Sequence, residues 1–305
     1  MLHTSDWHLG RSFHRVSLLA AQREFIDHLV TTVRERHIDA VVVAGDIYDR
    51  AVPPLAAVEL FDDALHRLAD LGVPTVMISG NHDSARRLGV GAGLIDRAGS
   101  TCAPTPPDVP PPSSSPTITA RWPSTVCRIS NPAWCVRSWA PPRRGHTAVL
   151  GAAMDRVRAD LATRPSGTRS VVLAHAFVTG GAVSDSERDI TVGGVASVPA
   201  DVFDGVDYAA LGHLHGCQTI TERIRYSGSP LAYSFSEAAH RKSLGGGAGG
   251  GGRGAACARR TGGCPVPRPL ARIRGRIEEL LDDPDLDRHE EAWVEATLTD
   301  AGAAA

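Results

Sequence analysis

Five short apolar runs, each ending in a loop that carries aspartate, asparagine or histidine, constrain this chain more than any other feature. Leu2 to Ser5 leads into Asp6-Trp7-His8, and Ala40 to Ala44, continuous in valine, leads into Gly45-Asp46. Val73 to Ser79 leads into Gly80-Asn81-His82-Asp83. Ser170 to Ala174 ends at His175, and Asp207 to Leu211 ends at Gly212-His213-Leu214-His215. Runs of this length and β-branched content predict buried strands. Between the first three, Leu18, Leu19, Ile26, Leu29, Val30 and Val33 recur at helical spacing. A second helix is predicted behind Pro53-Pro54, carrying Val58, Leu60, Phe61, Leu65 and Leu68. Alternating strands and helices predict an α/β fold, and the C-terminal ends of its strands are where such sheets build active sites.

The residue types at those ends are metal donors. Asp6 and His8 alternate beyond a strand end, so both side chains can aim at one ion; an isolated Asp-x-His pair is otherwise common surface polarity. Asp46 alone reads equally well as a turn residue, and His175 alone as a satisfied core histidine. Gly80-Asn81-His82-Asp83 is more specific: the glycine permits a tight turn that brings an amide oxygen and an imidazole toward the same point. His213 and His215, two apart in an extended loop, can reach two neighbouring ions. No cysteine joins this set and the chain has no Cys-x-x-Cys pair, which argues against a structural zinc site of that type. A mixed nitrogen and oxygen donor set suits Mn²⁺, Fe or Zn²⁺.

A net charge of −2 gives no general nucleic-acid signature, so any contact with DNA falls to local basic groups, metal ions or a partner. No apolar run approaches the roughly 20 residues that span a bilayer, and no basic-then-apolar leader opens the chain. The expectation is a cytoplasmic protein with no membrane contact. Two segments break the texture. From Thr101 to about His146 the chain is rich in Pro, Ser, Arg, Trp and Cys, with no acid between Asp108 and Asp155. From Leu244 to Cys264 it turns to Gly, Ala and Arg, with no acid between Glu237 and Glu278. Five of the six cysteines and three of the five tryptophans fall in these two segments. They read either as low-complexity linkers or as stretches translated out of frame from GC-rich DNA; either way they are expected to lack stable packing.

The order Asp-x-His, Gly-Asp, Gly-Asn-His-Asp, His, Gly-His-x-His resembles that of the calcineurin-like metallophosphoesterases. The wording His3-Thr4-Ser5-Asp6-Trp7-His8-Leu9-Gly10, Gly45-Asp46-Ile47-Tyr48-Asp49-Arg50 and Tyr226-Ser227-Gly228-Ser229-Pro230 is similar to the SbcD-type nuclease subunits within that superfamily. The resemblance covers residues 1–100 and about 147–243, and resumes weakly from Pro265. It implies an α/β fold, a β-sandwich flanked by helices, with the start of a small α+β capping domain. The implied domains are 1–243 for the phosphoesterase, interrupted by the aberrant segment 101–146, then the aberrant segment 244–264, then a partial cap over 265–305. In that cap a helix (Ile273, Ile277, Leu280, Leu281) is expected to precede a strand from Trp293 to Leu298.

The same resemblance implies roles. Asp6, His8 and His215 would hold one divalent ion, Asn81, His175 and His213 a second, and Asp46 would bridge both, with Mn²⁺ as the ion. Ions roughly 3.5–4 Å apart clamp a phosphodiester and lower the pKa of a shared water. His82 would stand outside the metal shell as general acid to the leaving oxygen, with Asp83 accepting a hydrogen bond from its other ring nitrogen. Arg11, Arg15, Arg50, Arg86 and Arg87 flank these loops and read either as phosphate contacts or as solvated surface charge. The implied activity is a DNA exonuclease and endonuclease working with an SbcC-like ATPase, as a homodimer. In the family, the region that binds that ATPase lies beyond such a cap. Two other readings stand beside it: a small-molecule phosphoesterase with the same metal centre, and a damaged, inactive copy of the nuclease.

Overall fold

The computed structural model describes residues 1–92, 101–103, 124–128, 145–187, 197–246 and 260–300. The valine run predicted as a strand is β4 (Val41–Ala44), flanked by β1 (Leu2–Thr4) and β5 (Thr75–Ile78), to which it pairs in parallel. β2 (Ser12–Phe13) and β3 (Val16–Ser17) form a small hairpin after β1. Beyond β5 come a short α3 (Ala85–Leu88), placed after α1 (Leu19–Glu35) and α2 (Leu55–Asp70), and then β6 (Thr101–Ala103). A second sheet is built on β7 (Ser124–Arg128), β8 (Arg169–His175), β9 (Tyr208–Gly212), β10 (Gln218–Thr219) and β11 (Ile224–Tyr226), with α4 (His146–Ala162) between β7 and β8. The first sheet is completed by β12 (Ser243–Gly246) and β13 (Arg260–Gly263). Strand order is β13-β12-β1-β4-β5-β6 in one sheet and β10-β11-β9-β8-β7 in the other.

The period-2 alternation of strands explains the layering. On β4, Val41 and Val43 join the core under the helices, with Phe25, Ile26, Leu29 and Val33 of α1 and Leu60, Phe61 and Leu68 of α2. Val42, between them, faces the other sheet with Val76, Ile78, Val171, Leu173, Tyr208 and Ala210. The far face of the second sheet packs Val172, Ala174, Ala209 and Leu211 against Leu150, Met154 and Val157 of α4. The result is two sheets face to face, each covered outside by helices. Strands buried on both faces read as continuous apolar runs, which is why β4 carries three consecutive valines. Among the described residues no helix is long and apolar enough to cross a membrane.

Two expectations are corrected. Strands β6, β7 and β13 fall within the two compositionally aberrant segments, and β12 runs into the second, where stable packing was not expected. β7 pairs with β8 from Ser124↔Arg169 to Arg128↔Leu173, and β6 continues the first sheet beside β5. A ladder is made by backbone N–H and C=O groups, which composition does not reveal. Apart from Gly145, His146 and Cys264, the rest of both segments lies outside the described residues. Near the C-terminus, Ile273 belongs to a strand, β14 (Leu270–Gly275), rather than to the helix. That helix, α5 (Ile277–Asp282), is shorter, and β15 (Trp293–Leu298) returns parallel to β14. Pairing with β15 wins over helical spacing because Ala271 is buried and Ile273 half-buried on this strand while Arg272 and Arg274, alternating with them, are exposed.

Candidate metal centre

All five polar strand ends open at the same edge of the sandwich, because β1, β4 and β5 run parallel in one sheet and β8 and β9 in the other. Two glycines permit close approach there, Gly212 between the two sheets and Gly80 between the neighbouring loops after β5 and β4. A Cβ on Gly212 would lie 1.9 Å from the Ala44 carbonyl oxygen, and one on Gly80 would lie 2.1 Å from Asp46 Oδ1. The chain also accepts strain at the site. Asp6, His8, Asp46 and His213 have positive φ values of 53°, 47°, 50° and 104°, in a region that non-glycine residues seldom occupy. Such residues cluster where function over-determines the backbone.

The predicted donors converge. His8 Nε2 lies 3.1 Å from His215 Nε2 and 3.8 Å from Asp46 Oδ2. His175 Nε2 lies 2.8 Å from Asn81 Oδ1 and 3.3 Å from Asp46 Oδ2, and His213 Nδ1 lies 3.3 Å from the same amide oxygen. Asp6 accepts the backbone N–H of His213 at 3.0 Å, which ties the first loop to the last. Asp6, His8 and His215 form one group with donor atoms within 4.8 Å of each other; Asp6, Asp46 and His175 form another.

Proton accounting tests whether this set fits a cation. His175 Nδ1 faces the Ala44 carbonyl at 2.9 Å, so it must donate. Its Nε2 then faces two oxygen acceptors, which a neutral ring cannot satisfy. With the Asn81 amide oxygen turned toward the ring, an imidazolium or a shared cation resolves the arrangement. His8 Nδ1 is buried without a hydrogen-bond partner, another group whose environment is not completed by protein alone. Asp6, His8, Asp46, His175, His213 and His215 are all at most 5% exposed, so bulk solvent has little access to them. The residues fit a divalent ion with nitrogen and oxygen ligands.

The electrostatics of these side chains follow from the same crowding. Burial pushes the Asp6 carboxyl up to about 6, against the pull of His175 and His215. Burial also works against the charge on Asp46, but His175, His82 and His8 outweigh it and hold that carboxyl well below its usual range. His175 is the converse: burial lowers it, yet Asp46 and Asp6 leave it raised to about 9. Burial pushes His213 down to about 3, with His175 adding repulsion. Among the protein's own groups, the balance favours an Asp46 carboxylate beside a His175 imidazolium.

His82 lies at the rim of this set. Its backbone N–H donates to Asp46 Oδ1 at 2.8 Å, its Nδ1 faces the Asp49 carbonyl at 2.8 Å, and its Nε2 lies 4.0 Å from Asp46 Oδ2. The expected pairing of its ring with Asp83 is corrected: the ring meets the Asp49 backbone instead. Asp83 accepts from the backbone N–H groups of Ile47, Tyr48 and Gly80 at 3.1, 2.8 and 2.9 Å, so it shapes the two loops. Burial, then the charge on Asp46, pushes its carboxyl up to about 7. Arg11 is engaged as well, pairing with Asp49 at 3.3 Å and lying over the Tyr233 ring at 4.9 Å. Arg15, Arg50, Arg86 and Arg87 are exposed.

Sequence reasoning missed Asp49, which groups with His8 and His82, and a layer behind the ligands formed by Ser186, Glu187, Tyr233, Glu237 and Lys242. Tyr233 packs edge-on against His8 and His215, and its hydroxyl donates to the Trp7 carbonyl. Their signal was faint: a Ser-Asp-Ser-Glu run, and one acid, Glu237, closing the last ordinary stretch before an acid-free one.

A helix-covered double sheet with carboxylates, an amide and imidazoles gathered at one edge defines a metal-dependent phosphoesterase. The family model described as calcineurin-like phosphoesterase matches residues 1–217. The chain belongs to the calcineurin-like phosphoesterase family. It is also similar to the SbcD component of the nuclease SbcCD of Bacillus subtilis (strain 168), with 36% identity over 255 residues, covering 80% of this chain and 64% of that protein. The chain thus spans a little under two thirds of that relative's length.

Proposed function

We propose that this chain is a divalent-metal-dependent DNA nuclease that hydrolyses phosphodiester bonds at DNA ends or hairpins, in the cytoplasm, as a subunit working with an SbcC-like ATPase. One observation supports this reading above the rest: a buried basin of two carboxylates, one amide and four imidazoles, with His82 at its rim, in a chain similar to a nuclease subunit. Asp6, His8 and His215 are assigned to one ion, Asn81, His175 and His213 to a second, and Asp46 to both, with Mn²⁺ as the ion and a homodimer as the assembly. Residues 1–243 would form the catalytic domain and 265–305 part of a cap. Bound divalent ions supply charge against the phosphate oxygens and lower the pKa of water at such a site.

The protein's own contribution is position and a proton. Asp46 and Asp6 are fixed by backbone N–H donors from neighbouring loops, so the ligands are preorganised. His82, with Nδ1–H directed at a carbonyl, can carry a second proton on Nε2 and give it to the departing sugar oxygen. The test compares Mn²⁺-dependent hydrolysis of linear duplex DNA with that of a nitrophenyl phosphate ester, with and without the ATPase. Degradation of DNA that needs Mn²⁺ and rises with the ATPase is expected. Turnover of the ester alone would return the small-molecule reading, and no turnover of either would return the inactive copy.

A further inference from the structure

His215 is held from behind by side chains that none of the strand-end motifs contains. Its Nδ1 lies 2.6 Å from Ser186 Oγ and 3.3 Å from Glu237 Oε1, and the Ser186 hydroxyl donates to that same Oε1. A serine hydroxyl carries one proton, and a carboxylate can only accept. With that proton directed at Glu237, Ser186 Oγ can only accept from the ring. Nδ1 of His215 therefore carries the hydrogen, and Nε2 keeps its lone pair. That Nε2 is the atom facing His8 Nε2 at 3.1 Å inside the basin.

Glu237 is itself anchored. Its other oxygen meets Lys242 Nζ, which also donates to the His215 carbonyl and to Ser229 Oγ, each at 2.9 Å. Glu187 takes the His215 backbone N–H at 2.7 Å, so backbone and ring are both fixed. Glu237 is 1% exposed and Lys242 7%. Burying such a pair costs desolvation that a packed apolar pair would avoid, so stability gives no reason for placing charge here. Ligation chemistry does: carboxylates behind metal-binding histidines set the tautomer and raise the basicity of the ring.

We propose that Glu237, acting through Ser186 and anchored by Lys242, is the positioning residue that fixes the tautomer of His215 and aims its Nε2 at the metal position. This rests on the metal-centre reading above. The test uses the whole chain with Mn²⁺ alone and two readouts. Binding is followed by electron paramagnetic resonance titration, and the His215 tautomer by long-range ¹⁵N–¹H NMR on the metal-free, histidine-labelled protein. Ser186→Ala leaves the buried ion pair in place and so keeps the fold, while Glu237→Gln removes the charge. Both are expected to weaken the His215-containing site about 10–100-fold and to turn one tautomer into a mixture. Ser186→Thr, which keeps the hydroxyl, is expected to restore both. Wild-type affinity together with an unchanged tautomer in Ser186→Ala would overturn the proposal. A wild-type chain that binds no Mn²⁺ would instead overturn the metal-centre reading, and the metal-free tautomer would still judge the role of Glu237.

Discussion

Asp46 is the residue on which the basin turns. It meets His8, His82 and His175 through one carboxylate oxygen and the His82 backbone through the other. Asp46→Ala is expected to abolish binding of both ions in a metal titration, whereas His175→Ala weakens mainly one; two ions retained in the Asp46 variant would remove the bridging role. His82→Ala should keep both ions and lose cleavage by about 10²–10⁴, the usual worth of general acid help. A lost ion would make His82 a ligand, and near-normal turnover would make it a packing residue. A separate residue-scale effect concerns His3, buried beside the Tyr208 hydroxyl at 3.0 Å. Burial pushes its pKa down to about 3 from 6.5. Between those values the unfolded chain takes up a proton that the folded one does not, so acidification through this window favours unfolding; above 6.5 the term vanishes. Urea unfolding of metal-free protein at pH 5 and 7.5 should show less of this loss in His3→Gln than in the wild type.

At the scale of elements, β4, β5, β8 and β9 were legible because a strand buried on both faces leaves no polar positions to blur its pattern. β6, β7 and β13 were not, since their composition carries no periodicity and only backbone pairing defines them. β14 was misread because Ile273 and Ile277 have helical spacing, although the partner that decides the matter, β15, lies some twenty residues later. The closing of the two sheets over Gly212 makes a direct test. Gly212→Ala puts a methyl 1.9 Å from the Ala44 carbonyl, so the sheets must part. A loss of about 3 kcal/mol or more is expected in denaturant unfolding, at the upper end of overpacking costs. Unchanged stability would mean that this contact does not hold the sandwich together.

For the whole molecule, the sequence alone determined the donor types, their order and their placement at strand ends. It could do so because each motif is local, a strand and the two to four residues that follow it. It also carried the family, since those motifs occur in a fixed succession from Asp6 to His215. Tertiary structure alone decided which donor atoms lie next to one another. That depends on how two separate sheets stack, and His175 and Ala44, 131 residues apart, meet only there. Structure also moved Asp83 from the ring of His82 to three backbone N–H groups. It revealed Ser186, Glu237 and Lys242 behind His215 as well. A glutamate, a lysine five residues on and a serine 51 residues earlier are ordinary polar residues until folding brings them together, with Glu237 and Lys242 buried and Ser186 partly so. Burial removes water as a competing partner, and each remaining hydrogen bond then dictates where a proton must lie.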